Sequence, residues 1–362
     1  MTDMKKILVV DDSALMRKLL TGVLVEAGYD VRSARNGAEG VDMVVQWQPD
    51  VVTLDINMPE MDGLTALSLI MSARPTPVVM VSSLTEKGAL ATFEALALGA
   101  VDFIPKPGGT ISLHVDDIKA VLLDKVRAAS RARLGRRPNA RAAVPVSTPL
   151  ATAPTPRPVV PSTTAPVRAR SPLPGLVVIG VSTGGPRTLE DILPRLPADF
   201  AWPILVAQHM PANFTDTFAR RMDSLCALDV VEVASAMAIV PGKVYIGRGG
   251  TDITVTARVG VLHVAPRPET PTVLWHPSVE VMVDSAMHHV PPERLVGVML
   301  TGMGDDGAEA MARLRAAGGR TIAESADTAV VFGMPNELIE RRGATLVLPC
   351  TAIAAQLRHW LQ

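Results

Sequence analysis

The sequence predicts an α/β protein made of two doubly wound domains joined by a flexible tether. Three observations carry this. Strand-like apolar runs alternate with helical patterns over residues 5–125, and the alternation resumes at Leu176. Between them, residues 126–172 lose all periodicity and turn to Ala, Pro, Arg, Thr, Ser and Val. The chain has 362 residues and 48% hydrophobic content, enough for two domains with cores of their own. The expected boundaries are 1–125, 126–172 and 173–362.

Composition excludes several classes. Two cysteines, Cys226 and Cys350, make neither a disulfide framework nor a ligand cluster, which fits a reducing compartment. The first residues, Met1-Thr-Asp-Met-Lys-Lys, lead straight into a strand and lack the apolar core of a signal peptide. No apolar run approaches the ~18 residues of a membrane span. A cytoplasmic, soluble protein without membrane insertion is expected, and a monomer. The first 125 residues carry 17 acidic and 11 basic side chains, and the last 190 carry 19 and 15. The tether carries nine arginines and no acid. It has no aromatics to stack on bases, and both neighbours are acidic, so it reads as a solvated linker rather than a nucleic-acid arm.

In the first domain, strands are expected at Ile7–Val10, Asp30–Ser33, Val51–Asp55, Pro77–Ser82 and Asp102–Ile104. The first helix carries Leu15, Met16, Leu19, Leu20, Val23 and Leu24 as an apolar stripe, and Gly28 stops it. Five such βα units imply a five-stranded parallel sheet of flavodoxin-like order. Acids collect at the strand ends, with Asp11 and Asp12 after the first strand and Asp55 at the end of the third. Taken singly, Asp11 or Asp12 reads as a turn or cap residue. Together, three carboxylates on one sheet edge repel unless a cation joins them, and an oxygen-only donor set suits Mg²⁺. Ser82 and Lys106 end the fourth and fifth strands. A hydroxyl and an ammonium there suit a phosphoryl group on Asp55.

This stretch resembles the receiver domain of two-component response regulators over residues 4–125. The resemblance implies phosphorylation of Asp55 by a histidine kinase of CheA type. It implies Mg²⁺ held by Asp11, Asp12, Asp55 and the carbonyl of Asn57. Ser82 and Lys106 would touch the phosphoryl group, and Phe103 would be the aromatic switch. About two negative charges would then arrive at pH 7 and rearrange the loops. The 47-residue tether spans about 35–40 Å as a flexible coil, so the two domains can meet at millimolar effective concentration.

In the second domain, strands are expected at 176–181, 203–208, 230–234, 295–300, 319–323 and 344–348. Helices are expected at 186–196, 213–225, 278–289, 306–317, 334–341 and 350–361. This gives a Rossmann-like doubly wound sheet. Val244-Tyr-Ile, Ile253-Thr-Val-Thr and Val261-Leu-His-Val suggest an appended antiparallel hairpin. The first strand ends in Gly180-Val-Ser-Thr-Gly184, the pattern of a nucleophile elbow. Ser182 is then a nucleophile or a turn residue. The Gly-Gly pair that follows could equally cradle a phosphate at a helix N-terminus. His209 occupies the corresponding position after the next strand and is the candidate base. The remaining histidines read as structural or exposed. The loop Thr301-Gly-Met-Gly-Asp-Asp-Gly307 offers Asp305 or Asp306 as orienting acid or as a helix cap. Backbone N–H groups of these loops, at Thr183, Gly184 and Met303, suit a developing oxyanion.

Ile179-Gly-Val-Ser-Thr-Gly-Gly-Pro, Gln-His-Met-Pro211, Leu-Thr-Gly-Met-Gly-Asp-Asp-Gly-Ala308 and Val-Val-Phe-Gly-Met-Pro335 together resemble the CheB-type protein-glutamate methylesterases. The resemblance covers about 175–350, and it implies a triad of Ser182, His209 and Asp306. It implies hydrolysis of glutamate γ-methyl esters on chemoreceptors, with release of methanol, and deamidation of receptor glutamines. No cofactor is implied at the esterase site. An unphosphorylated receiver would cover that site, and phospho-Asp55 would relieve it. Two positions depart from the family pattern. Asp252 stands where a histidine is expected after the Tyr245-Ile run, and Asn57 stands where an acid is common. The alternative reading is a regulator whose second domain only binds a partner. A DNA-binding output is excluded, because that domain is acidic and has no basic recognition helix.

Overall fold

A computed structural model of the chain describes residues 4–83, 85–106, 115–134 and 173–361. The first unit runs β1 (Lys6–Val10), α1 (Ala14–Glu26), β2 (Asp30–Ala34), α2 (Gly37–Trp47), β3 (Val51–Asp55), α3 (Gly63–Ala73), β4 (Val78–Ser82), α4 (Glu86–Leu98), β5 (Asp102–Pro105) and α5 (Val115–Ala129). Its sheet is parallel throughout, in the order β2-β1-β3-β4-β5. Central strands β3 and β4 are buried along their whole length, as a sheet covered on both faces requires. Ser13, Asn36, Asp62 and Thr85 each cap a helix by accepting a backbone N–H in the first turn. Of the stripe on α1, Met16, Leu20, Val23 and Leu24 are buried and Leu15 faces solvent, one position off the core-facing arc.

Helix α5 ends at Ala129, so the expected boundary at 125 falls inside it. Leu122, Val126 and Ala129 continue one buried face across that point. The expected tether between 135 and 172 lies outside the described residues.

The second unit opens with β6 (Leu176–Val181), α6 (Gly185–Ile192), β7 (Ile204–Gln208), α7 (Ala212–Leu225), β8 (Asp229–Val233), β9 (Met237–Ala238) and β10 (Lys243–Gly247). Strands β11 (Asp252–Arg258) and β12 (Val261–Arg267) follow, then α8 (Val279–His289), β13 (Leu295–Met299) and α9 (Ala308–Ala316). It closes with β14 (Arg320–Glu324), α10 (Met334–Glu340), β15 (Leu346–Leu348) and α11 (Cys350–Trp360). Seven parallel strands are ordered β15-β14-β13-β6-β7-β10-β8, and β11, β12 and β9 form a small antiparallel sheet. The hairpin expectation needs one correction. Val244, Tyr245 and Ile246 belong to the parallel sheet, between β7 and β8, rather than to the hairpin. All three are fully buried, and only a central strand buries successive residues on both faces.

The order turns at β6. The chain steps to β7 on one side and later returns to β13 on the other. Such a switch point opens a crevice at the carboxyl ends of the strands. The two units share one apolar seam: Phe103 lies 4.4 Å from Phe214 between ring centroids, and Phe93 lies 5.5 Å from Phe218. Each pair adds about 0.5–1.5 kcal/mol beyond the area it buries.

Candidate active site

Three loops meet at the β6 crevice. The first follows β6, an unbroken buried run from Leu176 to Val181. Ser182 donates its backbone N–H to the carbonyl of Thr301 at 2.9 Å, which ties this loop to the one after β13. Its own carbonyl accepts the Gln208 side-chain amide at 3.0 Å and the Gly185 N–H at 2.8 Å. Ser182 is therefore held by backbone bonds on both sides. The glycines are required by approach. A Cβ on Gly185 would lie 2.1 Å from Gln208 Oε1, and one on Gly302 would lie 2.7 Å from the Ser182 Cβ. Gly184 also sits at φ +80°, where a side chain is strained.

The second loop follows β7. The His209 N–H bonds the Val181 carbonyl at 3.0 Å, which sets its backbone beside the residue before Ser182. Nε2 lies 2.8 Å from Asp306 Oδ2. Nδ1 is buried and has no hydrogen-bond partner among the described residues. The face of the ring is covered by Trp275, stacked at 5.3 Å and 12°.

The third loop carries Thr301–Gly307. Asp306 turns inward and accepts four bonds. Besides His209 these come from Ser278 Oγ at 2.9 Å, the Val279 N–H at 2.7 Å and the Glu280 N–H at 3.1 Å, at the start of α8. Burial pushes the Asp306 carboxyl up. The His209 bond and charge, with the two N–H donors, outweigh this and hold it below the usual carboxylate range. Asp305 turns outward to Arg341 at 3.1 Å, which separates the two acids that the sequence left open. Met303 lies on the same loop, between Gly302, whose carbonyl accepts the Met334 N–H at 2.8 Å, and Gly304. This arrangement can take a proton from a hydroxyl at Nδ1 while Nε2 stays fixed.

Thr183 belongs to a contact that the sequence did not suggest. Its hydroxyl donates to Asp102 Oδ2 of the first unit at 2.5 Å. Asp102 also accepts Lys125 Nζ at 2.7 Å on the same oxygen and the Phe103 N–H at 2.8 Å on the other. The Arg133 N–H adds a bond to the Val330 carbonyl at 3.0 Å. The amino end of β5 is thus bonded to the residue after Ser182. Asp102 lies 81 residues from Thr183, and no local pattern links them. Trp275, Ser278 and Gln208 were missed as well. Only Ser278 carried a signal, as a serine opening an expected helix.

On the first unit's own strand edge, Asp11, Asp12 and Asp55 bring carboxylate oxygens within 4.8 Å of one another. Lys106 Nζ lies 2.7 Å from Asp55 Oδ2 and 3.1 Å from Asp11 Oδ2. These two buried oxygens have no other partner among the described residues. Burial, joined by the Asp11 charge, pushes the Asp55 carboxyl above its ordinary value despite Lys106. Burial lowers the Lys106 ammonium, but the two carboxylates outweigh it and raise it. The Asn57 N–H reaches Asp55 Oδ1 at 3.3 Å. The Ser82 hydroxyl turns to the Gly88 carbonyl at 3.1 Å, into α4. Phe103 is buried against Phe214. The all-oxygen donor set with two under-satisfied buried atoms fits Mg²⁺.

Comparison with known proteins agrees with this architecture. The family described as CheB methylesterase matches residues 177–357, and the response regulator receiver domain matches 7–116. A Rhodospirillum rubrum protein named protein-glutamate methylesterase/protein-glutamine glutaminase 3 is 53% identical, over 99% of this chain and 96% of its own. A similarly named Rhodopseudomonas palustris protein is 52% identical, over 99% and 98%. Among solved structures, the Thermotoga maritima CheB methylesterase catalytic domain is 39% identical. It covers 51% of this chain and 98% of its own, with a TM-score of 0.50. The chain belongs to the CheB methylesterase family, with a response regulator receiver domain ahead of the esterase domain.

Proposed function

We propose that the protein hydrolyses glutamate γ-methyl esters on the cytoplasmic domains of methyl-accepting chemoreceptors and deamidates specific receptor glutamines, with Ser182, His209 and Asp306 as its triad. One observation carries the reading. His209 is fixed by Asp306 at 2.8 Å on one ring nitrogen, and its other nitrogen is unpartnered at the strand end next to Ser182. Ser182 Oγ attacks the γ-carbonyl carbon as His209 Nδ1 takes the hydroxyl proton. Backbone N–H groups at Thr183, Gly184 and Met303 receive the oxyanion. His209 returns the proton to the leaving methoxide, and methanol departs. Water then adds to the acyl-serine by the same steps and frees the glutamate. Asp306 stays ionised and holds the ring in one tautomer. With an amide, ammonia leaves instead.

Regulation is proposed through Asp55, phosphorylated by a CheA-type histidine kinase. Asp11, Asp12, Asp55 and the Asn57 carbonyl would hold Mg²⁺, which when bound offsets the charge of the incoming phosphoryl group. Lys106 and Ser82 would contact that group. For Ser82 this means giving up its bond to Gly88, which moves the start of α4. Phe103 lies on the seam, so the same change loosens the contact over Thr183. The protein is proposed to work in the cytoplasm, as a monomer, without nucleic acid. No observation favours the alternative of a second domain that only binds.

Ser182→Ala is the test. Methanol release from methylated receptor is expected to fall at least about 10⁴-fold in the folded, phosphodonor-treated protein. Turnover within tenfold of the parent overturns the triad.

A further inference from the structure

We propose that Asp252 is a positioning residue for the ester hydrolysis, holding Asp306 and Trp275, two groups that contact the His209 ring. The inference rests on the triad reading above. Asp252 lies at the start of β11 and is fully buried. Its carboxylate touches no part of the triad. It accepts four hydrogen bonds: from the Thr270 N–H at 3.0 Å, the Thr270 hydroxyl at 2.7 Å, His276 Nδ1 at 2.8 Å and the Ser278 N–H at 3.1 Å. These donors lie at the two ends of the segment from Thr270 to Ser278. One carboxylate therefore pins that segment shut.

Two routes run from this clamp to His209. The first goes through Ser278, whose N–H bonds Asp252 and whose hydroxyl bonds Asp306 Oδ1 at 2.9 Å. Asp306 then holds the edge of the His209 ring. The second goes through His276 to its neighbour Trp275, stacked on the face of that ring. An aromatic face stabilises the imidazolium that forms when His209 takes the serine proton. Edge and face are thus set by the same buried anion. Its charge needs all four donors, since a buried carboxylate missing one pays its desolvation. A side chain outside the reacting shell can act this way because displacements near 1 Å cost about 10²-fold in rate.

The test uses the full-length, phosphodonor-treated protein and methylated receptor. Asp252→Asn keeps the shape and removes the charge. Its kcat is expected to fall about ten- to a hundredfold with KM within twofold. In a Ser278→Ala background the same change should cost less than it does alone, since the first route is already cut. A kcat within twofold of the parent, or a loss carried wholly by KM, overturns the proposal. Should Asp252→Asn fail to fold, His276 supplies the test. His276→Asn, whose amide nitrogen replaces Nδ1, should retain kcat, and His276→Leu should lose it about tenfold. Equal rates for the two overturn the second route. Ser182→Ala runs beside them. If it stays active, the triad itself fails. If it is dead and Asp252→Asn is not slowed, only the clamp fails.

Discussion

Asp55 and Asp306 are two buried carboxylates at the carboxyl edges of two parallel sheets, and their surroundings treat them in opposite ways. Asp55 faces a second carboxylate, Asp11, with one lysine between them, and its affinity for a proton rises. Asp306 faces a hydroxyl, two backbone N–H groups and an imidazole, and its affinity falls. Burial pushes both upward. Donor count decides the outcome. A crowded, under-satisfied carboxylate suits a group that must react with a phosphodonor. A saturated one suits a group that must stay ionised and still.

The comparison breaks most visibly at Asp306. Asp306→Asn keeps the shape and loses the charge, and kcat for methanol release is expected to fall about 10³–10⁴-fold. A loss under tenfold would mean that His209 does not need an ionised partner. A smaller effect, opposite in sign, is expected at the seam. Asp102→Asn weakens a charge-assisted bond to Thr183, worth about 1–2 kcal/mol. Methanol release without phosphodonor should rise about tenfold, and an unchanged basal rate would show that this bond does not restrain the site. Asp55→Asn sharpens the contrast in two readouts. Activation by phosphodonor should vanish. Stability near pH 7 should also rise, read as a higher Tm. Because the folded pKa of Asp55 is raised, the native state binds its proton more tightly than the unfolded chain does. Asp55 therefore costs stability once pH exceeds the ordinary carboxylate range, and Asn removes that cost near neutrality. Asp306 behaves in reverse. Its contribution is present at neutral pH and is lost as pH falls below the ordinary carboxylate range through its lowered value. Thermal melts of both Asn variants at pH 7 and in acid check the signs.

The strand ends were legible because buried parallel strands are continuous apolar runs that stop abruptly at polar residues. Ser182, His209 and Asp55 each stand at such a stop. Choosing between Asp305 and Asp306 was not a matter of local pattern. Adjacent acids on a glycine-rich loop look alike until the partners, Arg341 and His209, are in place. The strand at Lys243–Gly247 went to the wrong sheet because a short apolar run does not say which neighbour it will pair with. The Asp102–Thr183 bond and the Trp275 stack join residues far apart in the chain. The bond exists only because the two units pack there, and the stack only because the second unit folds the Thr270–Ser278 segment back over His209.

The apolar character of the seam has a thermal consequence. Phe93, Phe103, Phe214 and Phe218 hold the two units together mainly by exclusion of water, an attraction that fades on cooling. Hydrogen bonds such as Asp102–Thr183 do not fade in the same way. A cold cell would therefore keep the restraint through its few polar contacts while losing part of its grip. On the proposed regulation, the unphosphorylated protein is expected to become leakier at low temperature, which basal methanol release measured against temperature checks.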